Sequence, residues 1–226
     1  MTSGVPESSG FFDSPTVKPP CNASWAARRE LAEAMRQLTE TLVTTTSDAA
    51  TLRAAAASLR GQNEVLRQSR AIFGRKAFEA DGHHGDWRSL SYELNPLDGR
   101  ANPLAPPLTT WIEDGLGHGR VTLGWAYEGP PGAVHGGVLS ALFDHFLGVT
   151  QVLTAQPGVT GALDVRFHLP TPLNTELFLT GRVKSVRGRN NVLSAELRAN
   201  GLVTASCQGI FVHVGEDGFS SPYDAA

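Results

Sequence analysis

Between residues 136 and 154, apolar side chains occur on nearly every side of a predicted helix. A helix that is apolar all round is expected to be buried. Its small and polar residues lie 3, 4, 4 and 3 positions apart and so form one stripe along one face: Gly137, Ser140, Asp144, Gly148 and Gln151. A buried carboxylate without partners costs several kcal/mol. Asp144 therefore indicates either a functional site or a structural network that satisfies the carboxylate.

On both sides of this helix the pattern changes to the alternation typical of strands. Two strands are predicted before the helix, Leu108–Glu113 and Arg120–Tyr127, joined by a glycine-rich turn at residues 114–119. The strands predicted after it are Val159–Leu169, Leu173–Val186, Asn191–Ala199 and Leu202–Val214. The sequence thus predicts an α+β fold, in which a largely antiparallel sheet of about six strands curls around one long central helix. One side of that helix stays open, so a second subunit or the N-terminal helices must cover it.

Two local signals refine the predicted sheet. Alternation in Val159–Leu169 places Leu163 and Phe167 on one face and Thr160 and Asp164 on the other. Asn200-Gly201 is a strong signal for a two-residue hairpin turn between the last two strands.

The chain before the sheet is predicted to be a tail, a helical extension and a proline-rich loop. Residues 1–23 are rich in Ser, Pro, Gly and Thr and predict a disordered tail, as do residues 215–226 at the other end. One helix runs from Ser24 to about Thr44 with four apolar residues on one face: Leu31, Met35, Leu38 and Leu42. A second, capped by Ser47 or Asp48 and ending near Arg70, has an apolar residue at every seventh position: Leu52, Leu59, Leu66 and Phe73. Packing of this second helix against the main domain or a sister subunit is favoured over an autonomous coiled coil, because its intervening positions are poorly filled. The extension with its loop is assigned to residues 24–107 and the main domain to residues 108–214.

Composition excludes several classes of protein. With 226 residues and a formal net charge of −3, nothing indicates a general attraction to nucleic acid. The arginines of the N-terminal helices alternate with acidic residues and predict a solvated face. Cys21 and Cys207 form neither a disulfide framework nor a metal motif, and the His83-His84 pair lacks the usual ligand spacing. No secretory leader is found and no apolar run reaches about 18 residues, so a cytoplasmic protein without a membrane span is expected.

A group of short motifs in residues 108–214 resembles the hotdog-fold acyl-CoA thioesterases, specifically the branch that includes phenylacetyl-CoA thioesterase. The motifs are His135-Gly136-Gly137, an aspartate nine residues after the histidine, and Thr160-Gly-Ala-Leu-Asp-Val-Arg-Phe-His-Leu-Pro170. Each motif alone is weak, but their combination is fairly specific. The resemblance implies a hotdog fold, hydrolysis of an acyl-CoA thioester without metal or cofactor, and a homodimer or a dimer of dimers.

The resemblance also implies roles for individual residues. The backbone N–H of Gly136, together with Gly137, would bind the thioester carbonyl oxygen, as free N–H groups at a helix N-terminus can. Asp144 would act as general base or as nucleophile, and the Thr160 hydroxyl would lie near the partner's Asp144. His135 would orient the glycine turn or merely anchor its loop, and Ser140 would contact substrate or only pack.

Coenzyme A carries phosphates, which need Arg or Lys. Arg187 and Arg189 in a predicted hairpin turn are candidates, and so are three residues on strands: Arg166, Arg182 and Lys184.

The spacing of Gly136 and Asp144 predicts a dimer independently. Eight residues of helix separate them by about 12 Å at 1.5 Å per residue. Contact distances in catalysis are about 3 Å, so one carbonyl group cannot touch both residues of one chain. If both are catalytic, two antiparallel central helices must lie side by side.

Three other functions remain as alternatives. A non-catalytic acyl-CoA-binding or regulatory protein is motivated by the arginine-bearing N-terminal helices. A hydratase is disfavoured because His145 lies about 100° around the helix from Asp144. A serine hydrolase is disfavoured because the sequence contains no G-x-S-x-G motif.

Overall fold

The computed structural model describes residues 22–82, 84–85, 87–106, 108–156 and 158–214. The predicted tails, residues 1–23 and 215–226, lie outside these ranges except for Asn22 and Ala23, and so do His83 and Asp86. The chain divides into two units. A helical unit extends to Asn95 and includes Gly99–Pro103, and a sheet unit holds Pro96–Asp98 and the chain from Leu104 onward.

The helical unit begins with two long helices, α1 (Ala23–Thr44) and α2 (Ala49–Arg67). The side chain of Asn22 accepts the backbone N–H of Trp25 at 3.0 Å, so α1 is capped two residues before the predicted Ser24. Asp48 caps α2 as predicted, accepting the N–H of Thr51 at 2.7 Å. The predicted apolar faces of both helices stay exposed, from 39% for Leu38 and Leu52 to 60% for Leu42.

Two short helices, α3 (Arg75–Ala80) and α4 (Trp87–Leu94), replace part of the proline-rich loop that was predicted to end at residue 107. Isolated helices of this length are unstable in water, so sequence pattern alone favours a loop there. Tertiary contacts supply the missing stability. Glu93 of α4 is fully buried and forms an ion pair with Arg29 of α1, while Arg75 of α3 donates to the Ser91 hydroxyl at 2.9 Å.

The described residues of the sheet unit form six strands, and every neighbouring pair is antiparallel. They are β1 (Thr109–Glu113), β2 (Leu116–Thr122), β3 (Gly158–Phe167), β4 (Glu176–Arg187), β5 (Asn190–Ala199) and β6 (Leu202–His213). Their order is β1-β2-β4-β5-β6-β3, so β1 and β3 form the edges. Asn200 and Gly201 have φ of 50° and 81°, and form the predicted turn between β5 and β6.

The central helix α5 (Gly136–Thr150) contacts all six strands. It continues as a 3₁₀ turn, Gln151–Thr154, where one longer helix was predicted. Its buried residues are Leu139, Leu142, Phe143, Phe146, Leu147, Val149 and Thr150. The predicted α+β hotdog architecture, a curled antiparallel sheet around one helix, is confirmed.

Glycines on the inner face of the sheet make room for this helix. A Cβ added at Gly117 would lie 2.3 Å from Thr150 Oγ1, and one at Gly181 would lie 2.8 Å from the Phe146 ring. A Cβ at Gly119 would also meet Phe146, at 3.2 Å. These strand glycines therefore mark the closest approach of helix and sheet.

The same glycines explain an error in the predicted turn before α5. The turn is Asp114-Gly115 alone, with φ of 49° and 73°, and β2 begins at Leu116. Gly117 and Gly119 look like turn residues in the sequence, but they are strand positions facing the helix. Trp125–Tyr127, predicted as the end of this strand, forms a 3₁₀ turn.

The predicted faces of β3 are wrong at its beginning. The register to β6 shifts between Thr160 and Ala162, so Gly161 is an extra residue in a β-bulge. Thr160 pairs with the buried Phe211 and points toward α5, whereas Asp164 pairs with Gln208 on the outer face. One inserted residue reverses the alternation, so Thr160 and Asp164 lie on opposite faces.

Among the described residues, one helical stretch, Gly136–Thr154, is long and apolar enough to cross a bilayer by length and composition alone. The core helix of a globular domain passes the same test, and here α5 packs against the sheet, so this is weak evidence for a span.

Candidate active site

The N-terminus of α5 is a helix start with an unusual cap. His135 is the N-cap, and its Nδ1 accepts the backbone N–H of Gly137 at 3.0 Å. Because Nδ1 is the acceptor, the ring proton of the neutral imidazole lies on Nε2. The Gly137 N–H is therefore already occupied. The N–H of Gly136 has no hydrogen-bond partner among the residues that the structure describes.

The loop that leads into this helix is held at several points. His135 donates its N–H to the Tyr127 carbonyl at 2.9 Å, and Gly132 donates to the Glu128 carboxylate at 2.7 Å. Short bridges join Glu128 to Val134 and Ala133 to Pro172. The loop therefore fixes the direction in which the Gly136 N–H points.

An apolar cavity of about 380 Å³ opens beside this helix start. The residues that line it include Pro130, Val134, Gly136, Leu139, Phe167 and Leu169. A Cβ at Gly136 would lie 3.3 Å from the Phe167 ring, so glycine allows close approach to the backbone here. Phe167 is 56% exposed and Leu169 47%, although both line the cavity. Phe167 was not among the predicted site residues, although it lies directly beside Gly136, which was.

Two turns further along α5, the carboxylate of Asp144 accepts the Thr160 hydroxyl proton at 2.6 Å. The two residues belong to the same chain, whereas Thr160 was expected near the partner's Asp144. The bulge at Gly161 is what brings Thr160 to the helix side of β3. With one oxygen engaged by Thr160, the other is oriented and available to a water molecule or substrate.

The structure gives Ser140 and His145 local partners. Ser140 donates its hydroxyl proton to the Gly136 carbonyl at 2.9 Å, which ties the first turn of α5 together. His145 Nε2 lies 2.9 Å from Asp98 Oδ2, and both side chains are nearly buried. His145 thus has a structural partner and points away from Asp144, as its helical spacing predicts.

The Arg and Lys residues predicted to bind the coenzyme A phosphates lie in two places. Arg187 and Arg189 flank the turn between β4 and β5, and Arg189 Nε donates to the His213 carbonyl at 3.1 Å. His213 pairs with Gly158, so this turn lies at the end of the sheet where β3 begins.

The other three cations, Arg166, Arg182 and Lys184, line a polar depression of about 300 Å³ together with Asp164 and Glu196. Arg166 and Arg182 pair with Ser206 and Ser194 on the outer face of the sheet, opposite α5. That Arg166 or Arg182 binds a coenzyme A phosphate stays a prediction, and any such phosphate would have to reach the face of the sheet opposite α5. No group of potential metal ligands occurs within the described parts of the chain.

Within one chain, the predicted oxyanion donor and the predicted catalytic carboxylate are too far apart to contact the same carbonyl group. The Gly136 N–H and the Asp144 carboxylate lie about two turns apart along α5, roughly 12 Å at 1.5 Å per residue. β3, which carries Thr160, is an edge strand of the described sheet, and no described strand pairs with its other side.

Comparison with known proteins gives a consistent result. Residues 131–205 match the thioesterase superfamily. The crystal structure of a thioesterase superfamily protein is 32% identical to this chain, covers 87% of this chain and 98% of its own, and has a TM-score of 0.70. The acyl-coenzyme A thioesterase THEM4 of Xenopus laevis is 30% identical over 73 residues, which are 32% of this chain. The match spans only about a third, 33%, of that relative's length.

A third protein, the E. coli PaaI protein from the phenylacetic acid degradation operon, has a TM-score of 0.45. It is 19% identical and covers 48% of this chain and 80% of its own. A likeness this low supports no conclusion about the branch of the superfamily.

Proposed function

Since this chain belongs to the thioesterase superfamily, we propose that it hydrolyses acyl-CoA thioesters to the free acid and coenzyme A. The observation that carries the proposal is the backbone N–H of Gly136. It lies at a helix N-terminus, has no partner within the described chain, and borders an apolar cavity. Such an N–H, aided by the helix dipole, stabilises a developing oxyanion.

Hydrolysis also needs a group that activates water or attacks the thioester carbon, and we assign this role to Asp144. As general base, its free oxygen takes a proton from water while the water oxygen attacks the carbonyl carbon. The tetrahedral oxyanion accepts the Gly136 N–H. Collapse breaks the C–S bond, and the proton held by Asp144 passes to the departing coenzyme A sulfur.

Direct attack by Asp144 is the other route open to this geometry. The carboxylate would form a mixed anhydride and release the coenzyme A thiolate, and water would then hydrolyse the anhydride. In both routes the Thr160 hydroxyl fixes the carboxylate orientation through its 2.6 Å hydrogen bond.

The proposed active form is a homodimer, because one chain keeps Gly136 and Asp144 apart. The free edge of β3, with the partly covered Asp144 behind it, is the proposed contact surface. Phe167 and Leu169 are exposed beside this edge, and burying them would be favourable by roughly 25 cal/mol per Å² of apolar surface. Pairing at this edge would also satisfy its open backbone groups.

Arg187 and Arg189 remain the proposed partners of the coenzyme A phosphates. Their turn lies at the end of the sheet where β3 begins. Thr160 is only two residues from that start of β3. Of these two, Arg187 forms no side-chain hydrogen bond or ion pair within the described residues, so its guanidinium is available to a phosphate.

A non-catalytic acyl-CoA-binding role is the second candidate. It was motivated by arginines on the N-terminal helices, but Arg29, Arg36 and Arg70 form ion pairs with carboxylates of the same unit. These pairs lower the positive charge available to a ligand and favour the catalytic role.

The deciding experiment measures free thiol released from a panel of acyl-CoAs by wild type, Asp144→Asn and Asp164→Asn. We expect Asp144→Asn to lower kcat by roughly 10²- to 10⁴-fold, the usual contribution of a general base. Asp164→Asn is the matched control, since it removes an aspartate from the outer face of β3 and should leave kcat unchanged. Equal rates for Asp144→Asn and wild type would refute the catalytic role. Binding of acyl-CoA without thiol release by wild type would favour the second candidate.

A further inference from the structure

Gln151 closes the polar stripe of the central helix, and hydrolysis as proposed does not use it. It stands immediately after α5, as the first residue of the 3₁₀ turn Gln151–Thr154. Its side chain is buried, with 8% of the residue exposed. A buried amide is costly unless its donor and acceptor are both satisfied.

Both ends of this amide bind the same residue. Gln151 Nε2 donates to the Gly158 carbonyl at 3.0 Å, and the Gly158 N–H donates to Gln151 Oε1 at 3.0 Å. The side chain therefore acts as a neighbouring strand would, pairing with both backbone groups of one residue. Gly158 is the first residue of β3, two positions before Thr160.

Backbone pairing is weakest at this end of β3, although the Asn191 amide holds the preceding Gln156 carbonyl at 2.7 Å. Gly158 forms the last pair of the ladder with β6, opposite His213, where a strand frays. The bulge that follows Thr160 interrupts the same ladder. A side chain at position 158 is excluded, because a Cβ would lie 2.4 Å from the Val212 carbonyl oxygen.

The helical segment thus holds the beginning of β3 at two points, seven residues apart. One is the Asp144–Thr160 hydrogen bond and the other is the Gln151–Gly158 pair. We propose that Gln151 is a positioning residue, which anchors the start of β3 so that the Thr160 hydroxyl reaches and orients the Asp144 carboxylate. This inference rests on the proposed function, because it is the proposed function that makes the Asp144 carboxylate the reacting group.

Two variants test the role of the amide. Gln151→Met keeps a similar volume and loses both hydrogen bonds. Gln151→Glu keeps the acceptor, but its ionised form cannot donate to the Gly158 carbonyl. Displacing a reacting group by about 1 Å costs on the order of 10²-fold in rate, so we expect kcat to fall roughly 10- to 100-fold at neutral pH in both variants. KM should change much less, because neither the cavity nor Gly136 is altered.

The Gln151→Glu variant adds a pH readout that a purely structural role would not produce. When the introduced carboxyl group is protonated, its O–H can donate to Gly158 and its C=O can accept, which restores both bonds. Burial raises the pKa of a carboxyl group, so the protonated form is reached above the usual range. The kcat of Gln151→Glu relative to wild type should therefore rise as the pH falls, whereas the ratio for Gln151→Met should stay flat. The elements that contact this turn, together with β3 and β6, bear the following titratable or charged side chains: Asp144 and His145 on α5; Asp164 and Arg166 on β3; Glu176, Arg182, Lys184 and Arg187 on β4; Glu196 and Arg198 on β5; Cys207 and His213 on β6. Both variants share these groups with wild type, so dividing by the wild-type rate at each pH cancels their titration.

Thr154→Val is the matched control. The Thr154 hydroxyl bonds the carbonyls of Gln151 and Gln156 in the same turn, but it makes no bond to β3. We expect this variant to keep kcat within about twofold of wild type, since its packing volume is nearly unchanged. Hydrogen exchange of the amides at residues 158–161 should speed up in Gln151→Met and not in Thr154→Val.

The exchange measurement separates this inference from the proposed function. If wild type hydrolyses no acyl-CoA, the proposed function fails, and exchange alone still reports whether Gln151 anchors β3. Wild-type kcat in a folded Gln151→Met variant, or exchange at residues 158–161 identical to wild type, would overturn the positioning role. A loss in Gln151→Glu that does not recover at low pH would also overturn it.

Discussion

Helices α5 and α2 show that regularly spaced apolar residues in the sequence of a helix do not ensure that the helix is buried. α5 has 15 residues, of which seven are buried, and it contacts all six strands. α2 has 19 residues with leucines at every seventh position, and none of its residues is buried. Leu59 and Leu66 of α2 are 49% and 57% exposed, whereas Phe146 of α5 is fully enclosed.

The difference arises from the surface that receives each helix. The strands facing α5 carry glycines where Phe146 and Thr150 come closest, so the sheet is shaped to that helix. Within the helical unit, no described residues provide such a surface for the leucine face of α2. Burial of a helix therefore depends on residues far away in the sequence, and the same complementarity fixes the position of Gly136 and Asp144.

Phe146→Ala and Leu59→Ala test this contrast most strongly. Phe146→Ala should lower the free energy of unfolding by about 3–5 kcal/mol, because it removes a fully buried ring and leaves a cavity. Leu59→Ala should change it by no more than about 0.5 kcal/mol, as is usual at exposed positions. Urea denaturation of both variants gives the comparison. A loss above about 2 kcal/mol for Leu59→Ala would mean that a partner covers α2 in solution.

Proline substitutions at the first residue of α5 and of α2 test whether the backbone N–H at each helix N-terminus contributes to catalysis. Proline is tolerated there, and the extended cap residues His135 and Asp48 suit a following proline. Gly136→Pro removes the N–H proposed to bind the oxyanion and should lower kcat by roughly 10²- to 10³-fold.

Ala49→Pro makes the same change in α2 and should leave kcat unchanged. Gly136→Ala, which keeps the N–H but brings a methyl group to the Phe167 ring, separates loss of the donor from crowding. Equal kcat for Gly136→Pro and Gly136→Ala would contradict the oxyanion role.

Thiol reactivity distinguishes the core around α5 from the surface of α2. Burial, assisted by the carboxylates of Asp164 and Asp144, raises the pKa of the Cys207 thiol from 9.0 to about 11. Since the thiolate is the reactive form, Cys207 should react with iodoacetamide at pH 8 roughly 100-fold more slowly than an exposed thiol of ordinary pKa.

The comparison is made in a Cys21→Ser background, with Leu59→Cys as the exposed thiol. Because the pKa of Cys207 is raised, its labelling rate should keep increasing above pH 9, toward pH 11. Equal labelling rates for Cys207 and the α2 thiol at pH 8 would contradict the enclosed core.

Alanine in place of glycine should have opposite effects in the two regions. Gly181→Ala places a methyl group 2.8 Å from the Phe146 ring and should cost about 1–3 kcal/mol of stability through overpacking. Gly61 lies inside α2 with no atom within 4 Å of the added Cβ, so Gly61→Ala should stabilise the protein by about 0.5–1 kcal/mol. Thermal unfolding of both variants checks the signs, and a stabilised Gly181→Ala would disprove the close contact.

Sequence pattern was most informative where a local signal and a long-range contact agree. The apolar helix, the hairpin turn at Asn200-Gly201 and the cap at Asp48 all have local causes, and the structure confirms them. It failed where a distant contact changes the meaning of a residue. Gly117 and Gly119 were assigned to a turn because the helix side chains that they accommodate, Thr150 and Phe146, lie roughly thirty residues further along the chain.

The candidate site shows the same division. The polar stripe drew attention to Asp144, and the resemblance to the thioesterase family drew attention to Gly136 together with Gly137, but neither distinguished the two glycines. Only the folded loop shows that His135 occupies the Gly137 N–H and leaves that of Gly136 available. Thr160 was placed near Asp144 by resemblance, and strand alternation alone put it on the wrong face.

The sequence by itself determined that a central helix with one polar stripe would be enclosed by an antiparallel sheet, because hydrophobic periodicity is a property of neighbouring residues. The tertiary structure alone decided which atoms of that stripe meet a partner. The bulge at Gly161 turns the Thr160 hydroxyl to Asp144, and the fold brings Gly158 to the amide of Gln151. Such contacts depend on register, and one inserted residue reverses the register without leaving a clear signal in the hydrophobic pattern.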